Sequence, residues 1–346
     1  MKEKIRSFLN EEIEQENIPG AVIHVSLAGD TLIHEAVGQA QLFPTKRPMK
    51  EETVFDLASL TKVVATLPAL LLLVEQGIVR LDDTAQFFLP EFENAHITLR
   101  HLLTHSSGLP AHRQFYKESL STSQIIQRIS EESKEILPGK KTMYSDLGLI
   151  LLYRIIEIAA GESFGGFVKK ELFDPLEMHD TGFSLPYGKE RFAATEKSIH
   201  TDEIKSGIVH DENAEAMGGT SGHAGLFSTA EDLAHFARMI EQDGIWKGRR
   251  ILSEATLSSS RKNYSLPGQE ARGLGWMLKG NDPSSCGDLF SDRSYGHTGY
   301  TGTSLWFDPE IALHVILLTN RVHSKNQKGI LRLRPRLHNL IRASLS

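Results

Sequence analysis

Ser59-Leu60-Thr61-Lys62 sets a hydroxyl and an amine three residues apart, directly after the apolar run Val54-Phe55-Asp56-Leu57-Ala58. If a helix opens at Ser59, positions i and i+3 share a face and the two groups can meet. A serine hydroxyl is a poor nucleophile until a base takes its proton. A buried lysine amine can do that if its pKa is depressed. The same helix N-terminus would offer backbone N–H groups and positive dipole to a developing oxyanion. Alone the motif is weak, because it also describes an N-cap serine followed by a solvated lysine.

A second group of chemically capable residues is Tyr144-Ser145-Asp146, between Pro138-Gly139 and a helical run from Leu147 to Ala160. A tyrosine just ahead of a helix start could point back at the first helix and relay a proton. A buried aromatic with an N-cap aspartate is the bland alternative. The third group is His297-Thr298-Gly299, read as leading into the strand that contains Trp306. There Gly299 would let a substrate approach the strand edge, and the Tyr300 N–H would join that of Ser59 as a second oxyanion donor. Gly296, Gly299 and Gly302 would equally suit a simple turn.

Something must hold these residues together. After an amphipathic N-terminal helix, two β-rich runs flank Gly29-Asp30 and predict a hairpin. The segment SLTKVVATLPALLLLVEQG is apolar nearly all round, which predicts a buried helix bent at Pro68 and stopped at Gly77. From about 80 to 240 the apolar spacing is mostly helical, and Ser228-Thr229 would cap the last of these helices ahead of Asp232. GLGWMLKG, TSLWFDP and ALHVILLTN read as strands with a turn at Phe307-Asp308-Pro309-Glu310, followed by a helix from about 326 to 343. The fold class is therefore α/β (α+β): an antiparallel sheet flanked by helices, built from both termini, with an inserted all-helical lobe. One domain is expected over 10–340, with 1–75 and 265–346 as the sheet lobe and 76–264 as the mostly helical lobe. A cleft between them is a favoured place for a small-molecule site.

The order and spacing of the three groups resemble the S-x-x-K, Y-x-N and K/H-T-G elements of class C β-lactamase-like, penicillin-recognising serine hydrolases. The flanking stretches FDLASLTKVVAT, LVEQGIVRLDD, ITLRHLLTHSSGLP, PGKKTMYSDLG and AGLFSTAEDLAHF are similar too, and the resemblance runs from about 10 to 340. It implies acyl transfer through Ser59, with Lys62 and Tyr144 handling protons and no organic cofactor or metal. The family spans β-lactamases, D,D-peptidases, D-aminopeptidases, esterases and amidases of cell-wall fragments. Two positions depart from its pattern. Asp146 replaces an asparagine and, ionised, cannot donate a hydrogen bond to a substrate carbonyl. It would favour the charged form of Lys62, which makes Tyr144 the expected general base. His297 replaces a lysine and holds an anion less firmly, which favours substrates lacking a carboxylate beside the scissile bond.

His112 matches a position where the family often contacts a substrate amide; an exposed loop histidine is the alternative. The polar stretch from Val209 to Gly225 is expected, by resemblance, to line the cleft. His210, Asp211 and His223 there are candidate substrate contacts, with loop-internal hydrogen bonding as the alternative. A metal held by these three would instead make a metal-dependent amidase. His101 and His105 stand at i and i+4, but HLLTH lacks the glutamate of a zinc helix. His105 is expected to bond backbone in the turn before Ser106-Ser107-Gly108.

Composition excludes other classes. The 346-residue chain carries a net charge of -6 and is 40% apolar, so it has no general attraction to nucleic acid or anionic lipid. Arg332, Arg334, Arg336 and Arg342 read as a solvated helix face. Cys286 is the one cysteine, so no intrachain disulfide forms. Charges interrupt the apolar residues of the first helix, so no secretory signal is expected. The apolar run Val63 to Val74 is short of the roughly 20 residues that span a bilayer. The expectation is a cytoplasmic serine hydrolase acting on a small ester, amide or cell-wall fragment such as a muropeptide amide. A β-lactamase or a non-hydrolysing penicillin-binding protein is the alternative.

Overall fold

A computed structural model describes residues 1–199, 201–280 and 283–345. The strands are β1 (Gly20–Leu27), β2 (Asp30–Gln41), β3 (Arg47–Pro48), β4 (Phe55–Asp56), β5 (Phe227–Ser228), β6 (Ile245–Trp246), β7 (Arg249–Arg250), β8 (Met277–Leu278), β9 (Tyr295–Thr298), β10 (Ser304–Asp308) and β11 (Leu313–Thr319). The α-helices are α1 (Lys2–Glu14), α2 (Leu67–Glu75), α3 (Ala85–Phe88), α4 (Leu99–Leu103), α5 (Thr122–Ser133), α6 (Asp146–Ala160), α7 (Phe164–Val168), α8 (Glu212–Ala216), α9 (Ala230–Glu241), α10 (Glu254–Ser260) and α11 (Gly329–Ala343). Seven strands form one antiparallel sheet in the order β3-β2-β1-β11-β10-β9-β8, so both ends of the chain build it.

The β1–β2 hairpin turns at Ala28-Gly29, one residue earlier than expected. Both have positive φ, 51° and 90°, as a two-residue turn matched to strand twist requires. β11 is the central strand of the seven, with β1 beside it. One face packs Ile23, Val25, Val315 and Leu317 against Ile5 and Leu9 of α1 and Leu333, Leu337 and Ile341 of α11. On the other face α9 lies against β1 and β11, although its sequence belongs to the stretch read as helical lobe. The Thr229 side chain caps α9 by accepting from the Asp232 N–H, as its sequence predicts.

The segment expected to be one bent helix is instead three pieces. A 3-10 turn (Ala58–Leu60) leads to a π-helical turn (Lys62–Thr66) and then to α2. Pro68 has no N–H to close on the Val64 carbonyl, and the Leu67 N–H reaches back five residues to the Lys62 carbonyl. Such π-turns recur at functional sites. Ala58–Glu75 is apolar and long enough to cross a membrane by composition, but it is buried within the protein, packed beside α6.

The third sequence element sits differently from its expectation. His297-Thr298 closes β9, while Trp306 lies in the antiparallel neighbour β10. Gly299 therefore begins the turn between the two strands rather than leading into the Trp306 strand.

Candidate active site

Ser59 owes its position to the backbone just before it. Asp56 ends β4, and its Oδ1 accepts the Ala58 N–H at 2.8 Å. That Asx-type turn holds Ala58 at φ 47°. Lys62 follows one helical step later and is 1% exposed. Its Nζ donates to Ser59 Oγ at 2.8 Å and to the His223 carbonyl at 2.9 Å. The same atom lies 2.8 Å from Asp146 Oδ1. Burial opposes the lysine charge, but Asp146 and Tyr144 outweigh it and hold the amine above its ordinary value. The arrangement thus favours the ammonium form of Lys62 over the depressed amine that the motif alone allows.

Tyr144 stands at the mouth of α6, as expected, with its ring centroid 5.0 Å from Lys62 Nζ. The Arg272 guanidinium lies 5.4 Å from the same ring, and the His105 ring 4.5 Å away. His105 Nδ1 accepts the Ser145 N–H at 3.1 Å, so Nε2 carries the ring proton. Burial, then Arg272 and Lys62, push the His105 pKa down to about 3. The backbone bond expected of His105 is made, but to Ser145 across the fold.

Burial would raise the Asp146 carboxyl, yet Lys62, His112 and His223 outweigh it and hold it well below the usual carboxylate range. His112 Nδ1 lies 3.8 Å from Asp146 Oδ2. Asp146 raises the His112 value against partial burial.

The β9–β10 turn is tied to the Ser59 turn. Thr301 Oγ1 donates to the Asp56 carbonyl at 2.8 Å, and Thr303 Oγ1 to the Leu57 carbonyl at 2.9 Å. A β-carbon at Gly299 would collide with the Leu57 carbonyl and the Thr303 hydroxyl. The close approach that needs glycine is therefore made by protein backbone, not by substrate. Arg334 closes the turn from behind, donating from Nη2 to the carbonyls of Gly299 (3.0 Å) and Thr303 (2.8 Å). It is 5% exposed, which corrects its place on a solvated face. Among the described residues, neither the Ser59 nor the Tyr300 N–H is spent on another protein group, so both remain free to donate to an oxyanion.

A cavity of about 390 Å³ collects Ser59, Tyr144, Asp146, His112 and Tyr300 on its walls, together with His210, Asp211 and His223. Glu196 and Glu212 also line it, and among the described residues no lysine or arginine does. His297, Thr298 and Gly299 stand outside this lining. The His297 ring is buried beside Tyr144, at 6.0 Å, and its Nδ1–H donates to the Thr298 carbonyl at 2.9 Å. Burial, then Arg272, Lys62 and His105, keep it neutral. His297 thus packs toward Tyr144 and hydrogen-bonds within the turn that Gly299 opens.

The 209–225 loop divides its residues. Asp56 Oδ2 accepts the His210 N–H at 2.6 Å, and Lys205 Nζ donates to the His210 carbonyl at 3.2 Å. The His210 ring is thereby fixed 3.3 Å from Glu196 Oε2 and 5.5 Å from the Tyr300 ring. His223 is 1% exposed, with its ring nitrogens 2.9 Å from Ser221 Oγ and 2.9 Å from Asp211 Oδ1. For His223 the internal hydrogen-bonding alternative holds. Among the described residues no three His, Cys, Asp or Glu side chains are placed to hold a metal ion.

Sequence reading missed Asp56, Arg334, Arg272 and Glu196. Only Asp56 leaves a local signal, as an aspartate two residues ahead of the amide it caps.

The Beta-lactamase family model matches residues 5–337. An N-acetylmuramyl-L-alanine amidase of Bacillus subtilis (strain 168) is 31% identical over 348 aligned positions, covering 88% of this chain and 78% of that protein. Among solved structures, EstCE1, described as a hydrolase with promiscuous acyltransferase activity, superposes with a TM-score of 0.79 at 23% identity, over 97% of this chain and 98% of that one. An octameric penicillin-binding protein homologue from Pyrococcus abyssi gives a TM-score of 0.75 at 23% identity, over 98% of this chain and 77% of that one. These two likenesses are of fold. With a family match that spans nearly the whole chain, this protein belongs to the Beta-lactamase family of serine hydrolases.

Proposed function

We propose that the protein hydrolyses an amide or ester through an acyl-enzyme on Ser59, with Tyr144 as general base and Lys62 as a fixed ammonium. The observation that carries this reading is the 2.8 Å contact of Lys62 with Asp146. A lysine held charged by a carboxylate cannot take the serine proton, so the base in this reading is the phenolate of the tyrosine beside it. To accept a proton Tyr144 must act as the phenolate, and Lys62 and Arg272 place two positive charges near its ring.

Ser59 Oγ attacks the substrate carbonyl as its proton passes to Tyr144. The Ser59 and Tyr300 N–H groups receive the oxyanion. The tetrahedral adduct collapses, the bond to the leaving group breaks, and Tyr144 returns the proton to the departing nitrogen or oxygen. Water then attacks the ester on Ser59, its proton going to Tyr144 and onward to Ser59 Oγ as the acid is released.

A cell-wall-derived amide is the substrate class we favour. The amidase name of the Bacillus subtilis relative supports it, as does a cavity wall rich in acceptors. A lining without lysine or arginine suits a β-lactam carboxylate poorly. The test compares kcat/KM for a muramyl peptide, a short-chain p-nitrophenyl ester and a chromogenic cephalosporin, with mass spectrometry of Ser59. A cephalosporin preferred by more than about tenfold, near 1.4 kcal/mol of transition-state binding, would make the protein a β-lactamase. Acylation without turnover would make it a penicillin-binding protein.

A further inference from the structure

Ser221, His223 and Asp211 have the residue types of a nucleophilic triad, yet they cannot form one. Ser221 is fully buried, so no substrate reaches its hydroxyl, and His223, at the edge of the cavity, is only 1% exposed. The Asp211 carboxylate, held well below the usual range because His223 and the Ala214 N–H outweigh burial, only accepts hydrogen bonds. His223 Nε2 therefore carries a proton toward Asp211, and the ring is pinned at both ends.

Two consecutive carbonyls of this loop reach the nucleophile's helix. The Gly222 carbonyl accepts from Thr66 Oγ1 at 2.6 Å, and the His223 carbonyl from Lys62 Nζ at 2.9 Å. No β-carbon fits at Gly222, because it would meet the Leu149 carbonyl of α6. The loop thus has one path between the two helices. Asp211 Oδ1 also caps α8, accepting the Ala214 N–H at 2.8 Å, and Asp211 and Glu212 line the cavity.

From this geometry we infer that the His223 ring, locked by Asp211 and Ser221, is a positioning device for Lys62. It aims a main-chain carbonyl at the ammonium and couples the α8 wall of the cavity to it. The inference rests on the reading of Lys62 as the fixed ammonium of Ser59 chemistry. Lys62 is otherwise faced by Asp146 and Tyr144, by neutral His105 and His297, and by Arg272 across the Tyr144 ring. Asp146 and Tyr144 favour its charge, and the His223 carbonyl and Ser59 Oγ accept hydrogen bonds from it.

His223→Gln tests it. Loss of the carbonyl's aim removes an acceptor from the ammonium, so Lys62 deprotonates at lower pH. The expected result is a kcat about tenfold lower or more, KM within about threefold, and the alkaline limb of the kcat profile moved to lower pH. Asp211→Asn keeps an oxygen for the α8 cap and is expected to give the same changes in smaller measure. It carries the test if His223→Gln does not fold. A lowered kcat with an unmoved alkaline limb in the folded variants overturns the inference and leaves the network merely structural. If the wild-type protein is not phosphonylated on Ser59 by a fluorophosphonate, with fluoride as leaving group, the functional reading itself fails and takes the inference with it.

Discussion

The Lys62 ammonium and the Asp146 carboxylate face each other at 2.8 Å, and the lysine side chain is wholly out of solvent. One charge therefore maintains the other, and the first prediction follows from removing the negative member. Asp146→Asn is expected to fold and retain activity, since asparagine still offers an oxygen to Lys62. Without the carboxylate the Lys62 value falls, so the alkaline limb of kcat/KM moves to lower pH. A profile that superposes on the wild type would show that the pair has no part in catalysis.

Tyr144→Phe removes one oxygen and leaves the ring packed on His105. Loss of acid–base help is expected to lower kcat by about 10²–10⁴-fold, with little change in melting temperature. A rate within about threefold of wild type would return the role of base to Lys62.

Gly299→Ala is expected to impair both stability and rate. The added carbon meets the Leu57 carbonyl, so the β9–β10 turn must retreat from the Ser59 turn and carry the Tyr300 N–H with it. Gly165→Ala in α7 is the control, because its nearest neighbour is a Phe183 ring carbon at 3.7 Å. There, alanine is expected to be neutral or to stabilise by about 0.5–1 kcal/mol. Equal melting curves and rates for Gly299→Ala and wild type would contradict the proposed tie between the two turns.

Acid is expected to destabilise the fold below the ordinary histidine value. Burial, then His314 and His34, push His24 down to about 3, and burial pushes His338 to about 4. His105, at about 3, behaves alike. Each binds fewer protons folded than unfolded between its native value and 6.5, so stability is intact above pH 6.5 and falls as pH drops through that window. Asp146 and Asp211, held low in the native state, add loss in the same direction at lower pH. Urea midpoints at pH 7.5 and 5, compared between wild type and His24→Asn, provide the check. Replacing His24 removes one of the protons linked to unfolding, so the variant's midpoint is expected to fall less. Equal losses would exclude His24.

Much of the site was legible in sequence because its pairings are local. Ser59 and Lys62 meet through helical spacing alone, Tyr144 and Asp146 share one helix mouth, and Thr229 caps α9 from an adjacent position. His297 reads in sequence as leading into the Trp306 strand, yet it closes the neighbouring strand β9 with its ring buried. Strand alternation fixes which residues share a face, but only the packing of Tyr144 and Arg272 decides that this face is closed to the cavity. Likewise, the helical period of α11 shows arginines on the helix, yet cannot say that Arg334 turns inward to two carbonyls.

The sequence by itself determined that Ser59 and Lys62 meet, that most of the segment from 80 to 240 is helical, and that the sheet is made from both chain ends. Those features depend on residue type and on spacings of a few residues, where side-chain directions follow from backbone geometry. Tertiary structure alone decided that Asp146 meets Lys62, that His223 and His297 are buried in internal hydrogen bonds, and that the Tyr300 and Ser59 amides are unspent among the described residues. These outcomes depend on burial and on partners far apart in the chain, such as Thr301 with Asp56 and Lys62 with His223. The energy of a buried charge or an unpaired donor is set by the groups that close around it, and no local pattern contains them.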